Sequence, residues 1–311
     1  MAKTLVFLEH HDGAIQKGAL GVLSKAAQVG DVDGVVIGSG VRGVAESVAT
    51  TVWVADDERL AAPLPQPRVD VLAKLVRDEG YDTVLFAQSV LASDVAAGLA
   101  ARLDAGLNWG LTDFDGEKGT APQLQDTVIV DVGWASAVRL GIFRAGALDP
   151  TDLGGTNEVK DAAVELEDFS TQAEMIEQAH AEQQGPSIED ADVIVAGGRG
   201  LGDPEKFALA EELAKALGGA VAATRAVVDA GWYPYSAQVG QTGKTVSPKL
   251  YVALGISGAI QHKVGMQGSN VIVAINTAAN APIFEFSDLG VVGDLHQIVP
   301  KLSELVRAHK S

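Results

Sequence analysis

The 311-residue sequence predicts two α/β domains, each built around a parallel sheet, and three observations lead to this prediction. Alanine, valine and glycine dominate and only 5% of the residues are aromatic, which suits buried parallel strands covered by helices. Strand-like and helix-like stretches alternate along the chain, as in α/β folds. The alternation stops at an acidic segment and then resumes, and the chain is long enough for two hydrophobic cores.

The composition excludes several classes of chemistry. The absence of cysteine excludes disulfides, cysteine nucleophiles and iron–sulfur clusters, and the six histidines are too scattered to predict a metal site. The net charge of −18 argues against nucleic acid as a partner. No apolar stretch reaches the roughly 18 residues of a membrane-spanning helix, and the N-terminus lacks a signal-peptide pattern. We therefore expect a cytoplasmic protein without direct membrane insertion.

The first half predicts a nucleotide-binding-like parallel sheet, because short apolar runs alternate with stretches of helical periodicity. Its predicted strands are residues 5–9, 34–37, 51–54 and 83–87, and its predicted helices are residues 14–29, 69–77 and 93–103. Two later runs, residues 127–132 and 136–140, flank Gly133 and Trp134. We expect these two runs to form a hairpin that completes the sheet.

An acidic segment separates the two halves. Residues 149–186 contain many acidic and turn-forming residues, so we interpret them as a linker at the end of the first domain. The boundary is expected near Gly185, which gives a first domain of residues 1–185 and a second of residues 186–311.

The second half begins a new series of strands and helices, which predicts a doubly wound sheet. Its predicted strands are residues 192–196, 220–223, 250–254 and 271–275. Asp203 and Pro204 can start a helix after the first of these strands, and Gly218 can end it. Each strand ends at a loop of small and polar residues, and ligands bind outside the carboxyl ends of parallel strands. These loops are therefore expected to converge on one site.

A glycine cluster at residues 197–202 lies between a predicted strand and a predicted helix. Backbone amides in such a turn can approach a phosphate, and Arg199 adds a positive charge. The spacing differs from GxGxxG, and Thr224 and Arg225 stand where a nicotinamide site has an acidic residue. This pattern argues against a nicotinamide dehydrogenase. A tight turn that binds no ligand is the alternative interpretation.

The segment Val-Gly-Gln-Thr-Gly-Lys-Thr at residues 239–245 has only a superficial similarity to a P-loop. A P-loop needs glycine at position 238, where this chain has Gln238, and Pro248 prevents a long helix from following. The pattern therefore does not predict a nucleotide triphosphatase.

The most informative segment runs from residue 250 to residue 262. A strand leads into Gly-Ile-Ser-Gly at residues 255–258, and a short helix follows. Ser257 and the amides near Gly258 can hold an anion, and His262 lies one turn along the helix. A single histidine is often structural or exposed, but its place among convergent loops makes His262 a candidate ligand contact.

Three motifs in this half resemble one known family. GISGAIQHKVGMQGSNVIVAIN, with VGQTGK before it and APIFEFSDLGVVGDL after it, is similar to the α subunit of electron transfer flavoprotein. The resemblance covers residues 190–300 closely, and the first half is similar in layout. It implies that the second domain binds FAD and that a β subunit completes a heterodimer.

The resemblance also implies which residues contact FAD, with no catalytic residue and no metal ligand. The implied residues on the adenosine and pyrophosphate side are Arg199, Gly200, Asn276, Asp294 and Leu295. Those implied at the flavin and the phosphates are Thr224, Arg225, Val239, Gly240, Gln241, Thr242, Ser257, Gly258, Ala259, Ile260, Gln261 and His262. By resemblance, Arg225 lies near the isoalloxazine, Thr242 near N5 and His262 near the C2 carbonyl. A donor or cation there would stabilise the reduced flavin and raise its potential.

The implied function is that of an electron carrier in fatty acid oxidation, without a substrate-transforming active site. Flavoprotein dehydrogenases, such as acyl-CoA dehydrogenases, would reduce it, and electron transfer flavoprotein-quinone oxidoreductase in the membrane would oxidise it. The ligand of the β subunit stays open between AMP and a second FAD. The alternatives are a subunit of an NADH-dependent electron-bifurcating flavoprotein and a nucleotide-binding module without redox function.

Overall fold

The computed structural model describes residues 3–11, 13–124, 126–177 and 187–310. The chain divides into two compact units, residues 1–179 and residues 180–311. The boundary predicted near Gly185 lies outside the described residues, so the predicted domain limits of 1–185 and 186–311 stay a prediction.

The first unit contains a parallel sheet of seven strands among its described residues, with the order β12-β5-β4-β1-β6-β11-β7. The strands of this unit are β1 (Lys3–Phe7), β2 (His10–His11), β3 (Ala14–Ile15), β4 (Asp31–Gly38), β5 (Thr51–Asp56), β6 (Thr83–Ala87), β7 (Gly106–Leu111), β8 (Asp113–Phe114), β9 (Gly119–Gln123), β10 (Val128–Val132), β11 (Arg139–Phe143) and β12 (Glu158–Asp161). Successive residues of β1 enter separate hydrophobic clusters, because both faces of the sheet are covered.

Helices cover this sheet, and two of them have a clear local signal at one end. They are α1 (Lys17–Val29), α2 (Arg42–Ala45), α3 (Pro65–Glu79) and α4 (Val90–Leu103). Ser89 caps α4, since its side chain accepts a hydrogen bond from the Ala92 amide at 2.9 Å. Gly80 ends α3 in the left-handed conformation, with φ +70°. The predicted parallel α/β architecture is therefore confirmed.

The predicted late hairpin is wrong. Strand β10 pairs antiparallel with β9 in a separate three-stranded sheet, whereas β11 lies parallel between β6 and β7. Leu140, Ile142 and Phe143 of β11 are buried. A strand apolar on both faces is most stable inside a sheet, so the chain crosses over after β10 instead of turning back.

The predicted acidic linker is partly folded structure. Strand β12 pairs with β5 at the edge of the first sheet. Just before β12, the Asn157 side-chain amide donates to the carbonyls of Ala45 and Val48. Further along, the Glu167 amide donates to buried Asp70 at 2.9 Å. These long-range hydrogen bonds hold an acidic sequence that has little apolar periodicity of its own.

The second unit is a doubly wound parallel sheet with the order β15-β14-β13-β16-β17-β18, as predicted. Its strands are β13 (Val193–Gly197), β14 (Ala220–Thr224), β15 (Gln238–Val239), β16 (Leu250–Leu254), β17 (Val271–Asn276) and β18 (Leu289–Val292). The short strands β15 and β18 were not predicted. The order reverses between β13 and β16, and this point positions the site described below.

The helices of the second unit are α5 (Ala208–Leu217), α6 (Arg225–Val228), α7 (Ile260–Met266) and α8 (Leu295–Lys310). Asp203 accepts from the Lys206 amide at 3.1 Å and starts a 3-10 turn that leads into α5, and Gly218 ends α5 with φ +77°. Phe207, Ala210 and Leu213 are buried, as their spacing predicts. Among the described residues, no helix combines the length and apolar character that crossing a membrane requires.

Candidate cofactor-binding site

A cleft of about 950 Å³ opens at the carboxyl edge of the second sheet. The loops that follow β13, β14, β15, β16 and β17 line it, which confirms the predicted convergence of loops. The cleft lies where the strand order reverses, and doubly wound folds bind their ligands in this crevice.

Most of the residues predicted to contact the cofactor line this cleft. They are Arg199, Gly200, Thr224, Arg225, Val239, Gly240, Gln241, Thr242, Ser257, Ala259, Gln261, His262 and Asn276. The fold thus brings residues from five loops together, whereas their individual contacts with a cofactor stay predictions.

Four of the predicted residues do not line the cleft. Gly258 packs against the next loop, because a Cβ there would lie 2.3 Å from the Ile283 nitrogen. Ile260 begins α7 and is half exposed. Asp294 accepts from the His296 amide at 2.9 Å and so caps α8, and Leu295 is buried in the core. In this structure these residues support the loops and the last helix.

The glycine cluster after β13 has a structural role that the sequence did not predict. The Gly200 amide donates to the Gly255 carbonyl at 3.0 Å, and a Cβ on Gly198 would lie 2.4 Å from the same oxygen. The amides of Gly198, Leu201 and Gly202 also donate to backbone carbonyls. These four amides therefore already have backbone acceptors, which favours the alternative interpretation of a tight turn, whereas phosphate binding at residues 197–202 stays a prediction.

The loop after β16 is held by its carbonyl groups. The Asn276 side chain donates to the Ile256 carbonyl at 2.8 Å, and the Ile283 amide donates to the Ser257 carbonyl at 3.0 Å. In the described part of the chain, the backbone amides of Ser257 and Gly258 donate no hydrogen bond to a backbone carbonyl. Of these two residues Ser257 lines the cleft, so its amide is the candidate contact for an anionic ligand, and this contact stays a prediction.

The loop of residues 240–244 sits tightly on α7. A Cβ on Gly265 would lie 2.3 Å from the Gly240 nitrogen, so the two backbones touch. The Gln241 amide also donates to the Gln261 carbonyl at 2.7 Å. This contact brings the side chains of Gln241 and Gln261 to the same wall of the cleft.

His262 is buried, and both of its ring nitrogens have partners. Nδ1 lies 3.1 Å from the Val239 carbonyl, and Nε2 lies 3.0 Å from the Tyr251 hydroxyl. Burial lowers the pKa of His262 to about 4, against the opposing effect of the Val239 hydrogen bond. The imidazole is therefore neutral near pH 7, so of the two expected alternatives at this position, a donor or a cation, the cation is excluded.

The charged side chains that line the cleft are two arginines and one aspartate. Arg225 and Asp229 form an ion pair one helical turn apart, with 3.2 Å between Nε and Oδ2. Arg199 follows β13 and is exposed. The described residues contain no group of histidine and acidic side chains that could hold a metal ion. The lining is therefore suited to a negatively charged organic ligand.

Several residues of the lining were not predicted. They are Gly198, Ala226, Asp229, Gly255, Ile256, Ala278, Asn280, Ala281 and Pro282. Asp229 could have been found from its spacing of four residues after Arg225 on a helix. The loop of residues 278–282 follows β17 and belongs to the predicted convergence of loops, although the prediction did not name these residues individually.

The cleft fits the FAD that the resemblance implies. Its volume lies within the range of about 300–1,000 Å³ that is usual for organic ligands. Arg199 and the open turn at Ser257 match phosphate oxygens, and Thr242 and Gln241 can hydrogen-bond a polar ring edge.

Comparison with known proteins agrees with this site. Residues 4–171 match the family described as "Electron transfer flavoprotein domain". Residues 187–267 match the family described as "Electron transfer flavoprotein FAD-binding domain", and this range contains most of the cleft.

Relatives match over the whole chain. The electron transfer flavoprotein subunit alpha of Mycobacterium leprae (strain TN) is 38% identical, and that of Mycobacterium tuberculosis (strain ATCC 25618 / H37Rv) is 40% identical, each with 100% of both chains covered. A protein named "Protein FixB" from Clostridium saccharobutylicum is 36% identical, with 96% of this chain and 94% of that protein covered. The chain therefore belongs to the electron transfer flavoprotein α-subunit family, and its second unit contains the FAD-binding domain of that family.

Proposed function

We propose that this chain is the FAD-carrying subunit of a heterodimer that shuttles electrons one at a time. It takes them from flavoprotein dehydrogenases, such as acyl-CoA dehydrogenases, and passes them to electron transfer flavoprotein-quinone oxidoreductase in the membrane. A protein of this kind carries electrons and transforms no substrate of its own. The expected cytoplasmic location remains part of the proposal.

The observation that carries the proposal is the chemistry of the cleft in the FAD-binding domain. Its lining offers hydroxyl, amide and guanidinium donors, which bind and orient a dinucleotide. The histidine is neutral with both nitrogens engaged, and the aspartate is paired with Arg225. These groups are arranged to hold a cofactor and to set its electrostatic surroundings, since bound FAD supplies the one-electron chemistry.

Each group has a proposed role that follows from its position. Arg225 places positive charge where negative charge develops on reduction, and Asp229 orients the guanidinium. Thr242 presents a hydroxyl from a loop anchored on α7. The turn at Ser257 offers backbone amides to the phosphates.

The proposed partner is the β subunit of electron transfer flavoprotein, since an α subunit implies a β subunit. The ligand of the β subunit decides between two candidate functions: AMP fits the simple electron carrier, and a second FAD fits an electron-bifurcating complex. The second candidate is a subunit of an NADH-dependent electron-bifurcating complex, and a relative of similar identity has the distinct name "Protein FixB".

The test is to co-purify the chain with its β subunit and count the flavins. A yellow heterodimer with one FAD, reduced by an acyl-CoA dehydrogenase and reoxidised through the quinone oxidoreductase, supports the carrier. Two FAD molecules and reduction by NADH support the bifurcating complex. A colourless stoichiometric heterodimer contradicts both and points to a nucleotide-binding module without redox function.

A further inference from the structure

Tyr251 is the second residue of β16, and it is not among the residues that line the cleft. Its side chain is 0% exposed, and its hydroxyl oxygen lies 3.0 Å from His262 Nε2. Strand β16 is an interior strand of the sheet, between β13 and β17. The tyrosine therefore contacts the cleft only through the histidine ring.

The hydrogen bonds of this pair allow one arrangement of protons. A carbonyl oxygen can only accept, so the contact with the Val239 carbonyl requires a proton on His262 Nδ1. A neutral ring then has a lone pair on Nε2, and the Tyr251 hydroxyl donates to it. A second proton on Nε2 would leave the buried hydroxyl hydrogen without this acceptor.

Three of the charged groups near this pair have partners of their own, and Arg199 lines the cleft. On α7 itself, Lys263 lies over the ring of Phe286. On the loop that follows β15, Lys244 pairs with Glu189 at 2.8 Å. Across the cleft, Arg225 pairs with Asp229 on α6, and Arg199 follows β13. Burial is accordingly the main cause of the lowered pKa of His262, with no charged group among the causes.

We propose that Tyr251 is a positioning residue that fixes His262 as a neutral imidazole, protonated on Nδ1 only, at the wall of the cofactor site. Tyr251 thereby acts together with burial to keep His262 uncharged beside the cofactor, which leaves Arg225 as the main source of positive charge near it. The consequence for the cofactor rests on the function proposed above, whereas the state of the histidine does not.

The test uses the full chain, labelled with ¹⁵N-histidine and purified with its β subunit and bound FAD. Long-range ¹H–¹⁵N spectra distinguish protonated from unprotonated ring nitrogens, and His262→Gln assigns the signals. In the wild type we expect one protonated and one unprotonated nitrogen, unchanged between about pH 5 and pH 8. A wild-type His262 that titrates near 6.5, or that has its proton on Nε2, would overturn the proposal without any variant.

Tyr251→Phe removes the hydroxyl and keeps the ring. We expect the pKa of His262 to rise by about one unit or more, because the neutral form loses its donor. Tyr81→Phe is the matched control, since it removes a buried tyrosine hydroxyl that contacts Trp53 and Asp33 in the first unit. It should leave the His262 signals unchanged. Identical His262 signals in Tyr251→Phe and the wild type would contradict the proposal.

A second measurement separates this inference from the proposed function. The first reduction potential of FAD is measured against pH in the same three proteins. In Tyr251→Phe this reduction potential should depend on pH in a way that it does not in the wild type or in Tyr81→Phe. Identical pH profiles of the potential in all three proteins would contradict the proposed effect of Tyr251 on the cofactor. Wild-type protein that holds no reducible flavin contradicts the proposed function, while the state of His262 is still decided by the ¹⁵N spectra.

Discussion

The Gln238 side-chain amide donates a hydrogen bond to the Thr242 hydroxyl oxygen at 3.2 Å, and Gln238 is buried. Thr242 lines the cleft, and its loop is also held by the Tyr235 hydroxyl, which donates to the Thr242 carbonyl at 2.8 Å. Because the hydroxyl oxygen already accepts from Gln238, its own hydrogen is directed elsewhere. Gln238 therefore leaves the Thr242 hydroxyl hydrogen free to be donated to a ligand in the cleft.

The first prediction concerns this pair. Gln238→Glu should weaken FAD binding by about 1 kcal/mol, or about fivefold in Kd, because a carboxylate would accept the Thr242 hydrogen. Isothermal titration of the apoprotein with FAD measures the effect. Thr242→Val should cause a similar loss, and adding Gln238→Glu to it should cost little more. Fully additive losses would show that Gln238 acts independently of Thr242.

The second prediction concerns Arg225 and its partner. Arg225→Ala should lower the first reduction potential of FAD by roughly 40 mV, which corresponds to about 1 kcal/mol for one electron. The effect lies at the low end for a charged donor because the Arg225 side chain is 65% exposed. Arg225→Lys should recover part of the loss, since a point charge cannot replace a planar fork. Redox titration of FAD-replete proteins measures these shifts.

Asp229→Asn provides the opposite change at the same place. It removes the negative charge beside Arg225, so the potential should rise by less than Arg225→Ala lowers it. Unchanged potentials in all three variants would mean that this ion pair only holds α6 in place.

The third prediction concerns stability in mild acid. His262 has a folded pKa of about 4, against an ordinary value of 6.5, so between these values the unfolded chain binds more protons. The free energy of unfolding should therefore fall as pH drops from about 6.5 to about 4, by up to roughly 3 kcal/mol. Urea denaturation at several pH values measures this fall.

His262→Gln is the control for this prediction. Its amide can still accept from Tyr251 and donate to Val239, but it does not titrate. Between about pH 6.5 and pH 4, the free energy of unfolding of this variant should fall less than that of the wild type. Parallel stability curves for the two proteins would show that other groups cause the acid sensitivity.

The fourth prediction concerns the contact between Gly240 and Gly265. Gly265→Ala should push residues 240–243 away from α7 and reduce FAD binding, because the added Cβ would lie 2.3 Å from the Gly240 nitrogen. We expect a loss of about 1–3 kcal/mol in unfolding free energy, as for overpacking elsewhere. Gly43→Ala is the control, since a Cβ at that helical position meets nothing within 4 Å. Normal FAD binding by Gly265→Ala would show that the loop does not depend on this contact.

The sequence predicted the second unit better than the end of the first. The strand 250–254 and the helix between Asp203 and Gly218 follow from local patterns, since apolar runs and capping residues act over a few positions. The order of strands is not local. Strand β11 was paired with its neighbour in the sequence, but burial on both faces placed it inside the sheet.

For the candidate site, the sequence by itself determined which loops converge and which family the chain resembles. It could do so because parallel strands bring their carboxyl ends to one edge, and the motifs lie just after those strands. Only the tertiary structure decided what each residue does there. The glycines of 198–200 hold two loops together, and His262 is neutral because the fold buries it. Burial and hydrogen-bond partners come from distant parts of the chain, so a local pattern cannot contain them.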